Sequence, residues 1–156
     1  MKDEQRSALN TFFVDTFNKI MMLEEQTLAR GSMENLSVKE RHIIEAVSIL
    51  QREGKNTMTE IAAKIGITVG ALTTAMNVLV KKEYLRRERS EEDRRVVRIF
   101  PTEKGIRAEM HHRIFHENMI SNVGAILDEE SLENLIASLD KLTEFFNEQL
   151  EALKES

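Results

Sequence analysis

The chain of 156 residues has no cysteine and no tryptophan, and only one proline and one tyrosine. Without thiols, disulfides, thiolate nucleophiles and cysteine-ligated zinc are excluded. With Pro101 as its one proline, and aromatics at 5%, the chain has few enforced breaks and is expected to be mostly helical. No apolar run approaches the roughly 18 residues of a membrane span. The opening residues, MKDEQRSALN, have neither the apolar stretch nor the cleavage site of a secretory signal. A cytoplasmic protein with no membrane partner is expected. Also missing are a glycine-rich phosphate loop, a nucleophile elbow and paired carboxylates with a reason to be buried. No catalytic residues are assigned, and an enzyme is not expected.

What is present suits a globular core, with 41% hydrophobic residues in a length typical of one protomer. The net charge of −5 argues at first against nucleic acid, but its distribution reverses that. Residues 64–107 hold 11 Lys/Arg against 6 Asp/Glu, or +5; the remainder holds 11 against 21, or −10. Cations gathered in one segment are the electrostatic footprint of a DNA-binding surface.

That segment overlaps the stretch around which the chain is organised, residues 57–101. Thr57 and Glu60 form a capping box, so a helix begins near Met58 and buries Ile61, Ala62 and Ile65. Gly66 can adopt the left-handed conformation that ends it abruptly. Thr68 caps a second helix over 69–82. At about 100° per residue, Leu72, Ala75, Met76 and Leu79 fall on one side and Gly70, Thr73, Thr74, Asn77 and Lys81 on the other. Two short helices joined by a glycine turn, the second with a small polar face, describe a helix-turn-helix. A polar helical face by itself is commonly just a solvated one.

The next residues change the balance. LRRER, SEEDRR and VVRIF read as strand, polar tip and strand. The arginines are Arg86, Arg87, Arg89, Arg94, Arg95 and Arg98, interleaved with Glu88, Glu91, Glu92 and Asp93. A tip carrying Arg94 and Arg95 suits a narrow, negative minor groove. Asp93 is expected to hold one guanidinium by a charge-assisted hydrogen bond.

The order helix-turn-helix, KKEYL, hairpin with DRR, then PTEKG opening a long helix resembles the MarR family of bacterial winged-helix regulators. The resemblance covers nearly the whole chain. It implies that the hairpin is a wing, whose D-x-R signature is matched by Asp93, Arg94 and Arg95. It also implies a dimerisation domain built from helices before and after this core. The stretch TVGALTTAMNVLVKKEYL is similar to one subgroup, the FabT-like repressors of bacterial type II fatty-acid synthesis. The expected DNA-facing residues are Thr68, Val69, Gly70, Thr73, Thr74, Asn77 and Lys81 on the helix, with Arg89, Asp93, Arg94 and Arg95 on the wing. Gly70, Thr73 and Thr74 offer no cation for bidentate reading of guanine. A double-stranded, A·T-rich site read partly through its shape is therefore expected.

The flanks are acidic and amphipathic. Residues 4–29 read as one helix with Leu9, Phe12, Phe13, Phe17, Ile20, Met21, Leu23 and Leu28 at helical spacing, ended by Gly31. Ser37 and Glu40 form a capping box for a helix to Arg52, with Val38, Ile43, Ile44, Val47 and Leu50 inward. Thr102 caps a helix over 103–127, with Gly105 in its first turn, where a glycine costs little. A last helix over 131–154 repeats Leu132, Leu135, Leu139, Leu142, Phe146, Leu150 and Leu153 in steps of three and four, close to a heptad seam. The expected fold is mainly α with a small β-hairpin wing. Residues 37–104 form the winged helix-turn-helix, and 1–36 and 105–156 the dimerisation helices. Phe12, Phe13, Phe17, Leu139, Leu142, Phe146 and Leu150 are expected at the homodimer seam. A two-fold dimer calls for a pseudo-palindromic DNA site.

The resemblance further implies long-chain acyl groups on acyl carrier protein as corepressor. Eight methionines, among them Met21, Met22, Met33, Met110 and Met119, are deformable enough to line such a pocket, although they also serve as core filler. Helix faces place the pocket near Ile20, Met21, Ile43, Ile114 and Phe115. The carrier protein is acidic, so Arg30, Arg41 and the DNA domain are candidate docking points. His112 and His116 lie four apart with His111 adjacent, and with His42 or Glu117 they supply donor types that a transition metal takes. The run HRIFH lacks the glutamate of HExxH, and histidines on a polar helix face are more often solvated or paired. Neither metal nor cofactor is expected. A regulator answering another small molecule or a metal ion is the alternative. A winged helix that binds protein is a further one, disfavoured because it has little need of Arg94 and Arg95 at an exposed tip.

Overall fold

The architecture comes from a computed structural model, which describes residues 1–29, 35–91 and 93–154. Arg30, Gly31, Met33 and Glu92, to which the sequence assigned roles, lie outside these residues, as does the side chain of Leu28. Helices α1 (Asp3–Thr11), α2 (Phe17–Ala29), α3 (Val38–Arg52), α4 (Met58–Ile65) and α5 (Val69–Lys81) precede the hairpin β1 (Leu85–Arg89) and β2 (Val97–Pro101). Helices α6 (Glu103–Ala125) and α7 (Glu129–Lys154) follow. The fold is the expected mainly helical one with a single two-stranded antiparallel hairpin, Leu85 opposite Pro101 and Arg89 opposite Val97. The chain divides into two compact units, one up to Phe115 and one from His116 onward. No single helix among the described residues is long and apolar enough to cross a membrane.

The local signals act as read. The Glu40 amide donates to Ser37 Oγ at 3.3 Å, and the Ser37 amide donates to Glu40 Oε2 at 2.8 Å. Thr57 and Glu60 reciprocate in the same way at 3.4 and 3.2 Å. Gly66 closes α4 with φ +71°, a left-handed conformation that side chains with a Cβ resist. The apolar faces then meet in one core containing Ile44, Val47, Ile61, Leu72, Met76, Leu79, Tyr84, Leu85 and Ile99. Burying each such side chain contributes about 1.5–3 kcal/mol.

The N-terminal helix differs from the expected single stripe. A π-helical segment, Phe12–Thr16, separates α1 from α2, and Leu9, Phe12, Phe13, Phe17, Ile20 and Leu23 are exposed. Among the described residues here, the one that is buried is a charge, Glu24.

KKEYL forms a knot rather than a plain helix end. Lys82 Nζ donates to Glu40 Oε1 at 2.8 Å and to the Asn35 carbonyl. Glu83 takes φ +63°, and buried Tyr84 donates its hydroxyl to Asn35 Oδ1 at 2.9 Å. Burial pushes the Tyr84 phenol above its ordinary value, which keeps it a donor. The Tyr84 carbonyl accepts from the Thr102 amide at 3.0 Å, and Thr102 Oγ1 caps α6 by accepting from Gly105 at 3.1 Å. Gly105 has a stronger reason than an inexpensive position in the first turn. A Cβ there would overlap the Tyr84 carbonyl oxygen.

Two stability predictions follow from this knot. Burial alone would raise the Glu40 carboxyl, but the Lys82 ammonium and the Ser37 amide hold it below its ordinary value of 4.5. The folded-state value is the lower one, so this stabilisation is present above pH 4.5 and is lost as pH falls through the folded value. Glu40→Gln should cost about 1–2 kcal/mol near neutral pH in urea unfolding. The gap between parent and variant should shrink in acid; a constant gap down to about pH 3 would contradict the assignment. Gly105→Ala should cost about 1–3 kcal/mol, because backbone and not a flexible side chain must move. An unchanged urea midpoint would show that the close approach is not maintained.

Candidate nucleic-acid interface

Helix α5 presents the two faces expected of it. Leu72, Met76 and Leu79 are fully buried and Ala75 is half-buried, while Gly70, Thr73, Thr74, Asn77 and Lys81 are all exposed. Thr68 Oγ1 caps the helix by accepting from the Ala71 amide at 3.2 Å, and Val69 is exposed beside it. Thr73 donates its hydroxyl to the Val69 carbonyl at 2.7 Å, so toward a ligand it offers lone pairs and a methyl group. Asn77 is oriented from outside its helix. Its Oδ1 accepts from Arg87 Nη2 on β1 at 2.8 Å, which leaves the amide NH₂ as its outward group.

The six arginines of the hairpin segment separate into two sets. Arg86 stacks over Phe100 at 5.1 Å and pairs with Glu88, and Arg87 holds Asn77. Arg98 donates to the Gly54 carbonyl at 2.6 Å and to Asn56 Oδ1 at 3.1 Å. These three have structural duties. Arg89, Arg94 and Arg95 are exposed at the end of β1 and at the tip.

Asp93 departs from the expected role. Its Oδ1 accepts from the backbone amide of Arg95 at 2.9 Å instead of gripping a guanidinium. The Val96 amide donates to the Asp93 carbonyl at 2.9 Å, and the Ser90 amide to the Val96 carbonyl at 2.9 Å. A short carboxylate that bonds its own backbone two residues on forms a tight turn. Asp93 thus shapes the tip and leaves the Arg95 side chain available.

Elsewhere the predicted groups are partly brought together. Phe12, Phe13 and Phe17 are exposed in the first unit. In the second unit Leu139, Phe146 and Leu150 are exposed and Leu142 is half-buried. Of the five positions assigned to an effector, Ile43 is buried in the core and Phe115 is also buried, Met21 is half-buried, and Ile20 and Ile114 are exposed. Ile43 lines a groove of about 550 Å³ with Lys39, His42, Ile65, Ile67, Ala71 and Ala75; the other four do not. Arg41 is only 4% exposed, so it offers no docking surface. Its desolvation lowers the guanidinium from its ordinary value, offset by the nearby Glu24 charge. Glu24 itself escaped the sequence reading. The available signal was a charge among the apolar positions of a stripe, three residues after Met21.

The arrangement places a small, hydrogen-bonding helical face beside a cationic hairpin. A major groove admits such a helix, and a flanking minor groove attracts such arginines. Comparison with known proteins agrees. Residues 43–97 match the family model described as MarR family. The chain is 30% identical over 100 residues to the HTH-type transcriptional regulator YpoP of Bacillus subtilis, covering 58% of this chain and 71% of that protein. Its fold is similar to Streptococcus pneumoniae FabT in complex with DNA, with a TM-score of 0.85, 30% identity, and 94% and 99% of the two chains covered. It also resembles the Staphylococcus aureus MepR–DNA complex in fold, with a TM-score of 0.73, 19% identity, and 88% and 95% covered. A helix-turn-helix beside a cationic hairpin, in a fold similar to that of FabT solved on DNA, is binding machinery and not a catalytic centre. This chain belongs to the MarR family of DNA-binding transcription regulators.

Proposed function

We propose that the protein is a homodimeric repressor that occupies a pseudo-palindromic, A·T-rich promoter site in the cytoplasm. The observation that carries this reading is the exposed, small and polar face of α5 set beside Arg89, Arg94 and Arg95. In it, Thr68, Val69, Gly70, Thr73, Thr74, Asn77 and Lys81 meet the major groove, and the wing tip, shaped by Asp93, enters the minor groove. Residues 37–104 act as the DNA-reading domain, flanked by dimerisation segments 1–36 and 105–156. Dimerisation is supported by the exposure of Phe12, Phe13 and Phe17, and of Leu139, Phe146 and Leu150. Large apolar side chains exposed in a run along one helix are a common mark of a face that a partner covers.

The regulated genes in this reading are those of fatty-acid and membrane-lipid synthesis, with long-chain acyl groups on acyl carrier protein as corepressor. The support is the resemblance of the α5 stretch to the FabT-like repressors. A corepressor acts only through unequal affinity for the DNA-competent and incompetent arrangements. A second reading, a different small effector, is favoured by one observation: the groove beside Ile43 is mostly apolar and carries Lys39 at its edge.

Three measurements test this. Anisotropy of a labelled duplex, carrying a palindrome from upstream of fatty-acid synthesis genes, should show tighter binding when long-chain acyl carrier protein is added at fixed salt. Unchanged binding would discard that corepressor, and no binding would discard that site. Arg95→Ala should weaken binding by about tenfold while the urea midpoint is kept; parental affinity would reject the wing assignment. In sedimentation, the 18.0 kDa chain should run as a dimer, and Leu150→Glu should shift it toward monomer. A parent that stays monomeric at micromolar concentration would overturn the dimer.

A further inference from the structure

One cluster has no place in the DNA-binding reading. Glu24 of α2, His42 of α3 and His112 of α6 converge within the first unit. Glu24 is 2% exposed and His112 is 1% exposed. Taking a carboxylate out of water is costly unless something compensates it. This chain leaves Phe12, Phe13 and Phe17 in solvent while turning the glutamate inward, so the burial has a specific cause.

We propose that Glu24, His42 and His112 bind one divalent transition-metal ion of the zinc class. The donor atoms already face a common point. His112 Nε2 lies 3.0 Å from Glu24 Oε1, and His42 Nε2 lies 3.8 Å from the same oxygen. Zinc with bonds of about 2.0–2.1 Å separates tetrahedral donors by roughly 3.3 Å. The two observed separations bracket that edge, and all the donor atoms lie within 4.8 Å of one another, so an ion draws them together by side-chain adjustment alone. The imidazoles of His42 and His112 meet edge to face, with centroids 5.3 Å apart.

The far side of His112 strengthens the assignment. Glu45 Oε2 lies 3.7 Å from its Nδ1. At that distance the carboxylate is an electrostatic neighbour of the ring and not yet a hydrogen-bond acceptor, and it is placed to become the outer-shell partner that a metal-binding histidine ordinarily has. A simple Glu24–His112 ion pair accounts for one short contact. It does not account for His42 directed at the same oxygen, nor for the Glu45 carboxylate behind the ring. His42 also supplies a route in, since its side chain is 44% exposed. Arg41, buried beside Glu24, shares that carboxylate's charge with the ion. Two imidazoles and one carboxylate, with no sulfur, suit zinc and its neighbours better than calcium or magnesium. Such an ion would fasten α2 to α3 and to α6, the helices on either side of the DNA-reading elements.

The test uses the full chain, stripped with chelator and titrated with zinc against a chromophoric competitor. One equivalent should bind with sub-micromolar affinity, and a large excess of magnesium should not displace it. Cobalt in place of zinc should give the intense visible absorption of a tetrahedral site. His42→Gln, at a half-exposed position that leaves the fold intact, should weaken zinc binding by at least about a hundredfold and abolish the cobalt bands. Glu45→Gln should weaken it by about 10–100-fold through the orientation of His112. Uptake well below one equivalent would overturn the proposal. So would parental affinity in His42→Gln, which would place the ion elsewhere, for example at exposed His111. The readout is metal binding alone, so its outcome is independent of which promoter or corepressor the protein uses.

Discussion

The relation between the wing and the helix-turn-helix depends on one buried amide. Asn56 is 2% exposed and directs its side-chain amide and its backbone carbonyl at the hairpin. Its Nδ2 donates to the Ile99 carbonyl at 2.6 Å, its own carbonyl accepts from the Ile99 amide at 2.9 Å, and its Oδ1 accepts from Arg98 at 3.1 Å. An isolated two-stranded hairpin is marginal in water. Here it gains a third backbone partner, because Thr57, next in sequence, bridges to Arg98 and also caps α4. The start of α4, and through Gly66 the placement of α5, are thereby referred to the same strand that carries the wing. On the other side, Arg87 reaches from β1 to Asn77 and closes the frame.

Charge is then distributed over this frame with little waste. The arginines nearest the core are committed to a backbone carbonyl, two side-chain amides, an aromatic face and a glutamate. Those beyond it are exposed. Attraction to a polyanion thus falls on a few side chains at the end of a stiff lever. Acidic residues outside 64–107 disfavour other approaches, within the roughly 8–10 Å over which such fields persist at ordinary salt.

Much of this was legible in the sequence, and the reason is locality. Both capping boxes, the glycine turn, the two faces of α5 and the hairpin each depend on residues a few positions apart. What escaped was long-range. Nothing near Arg98 in sequence announces Gly54 or Asn56, more than forty residues away. Gly105 looked like a tolerated helix residue because its neighbour, the Tyr84 carbonyl, arrives from another element. Asp93 failed differently. Its charge suggested an ion pair, but a side chain this short reaches its own backbone first. Glu24 was hidden by its surroundings, since a glutamate inside an amphipathic repeat is ordinarily assigned to the wet side.

The π-helical segment at Phe12–Thr16 carries a consequence for the N-terminal helix as a surface. An inserted residue advances everything on one side of it by about 100° around the helix axis. Leu9 and the residues before it therefore point in a different direction from Ile20 and Leu23 than a regular helix would give them. The N-terminal segment is in effect two blades set at an angle on one shaft. Anything that straightened the shaft, by removing a residue or by pressing the extra turn out, would rotate one blade against the other without breaking the helix.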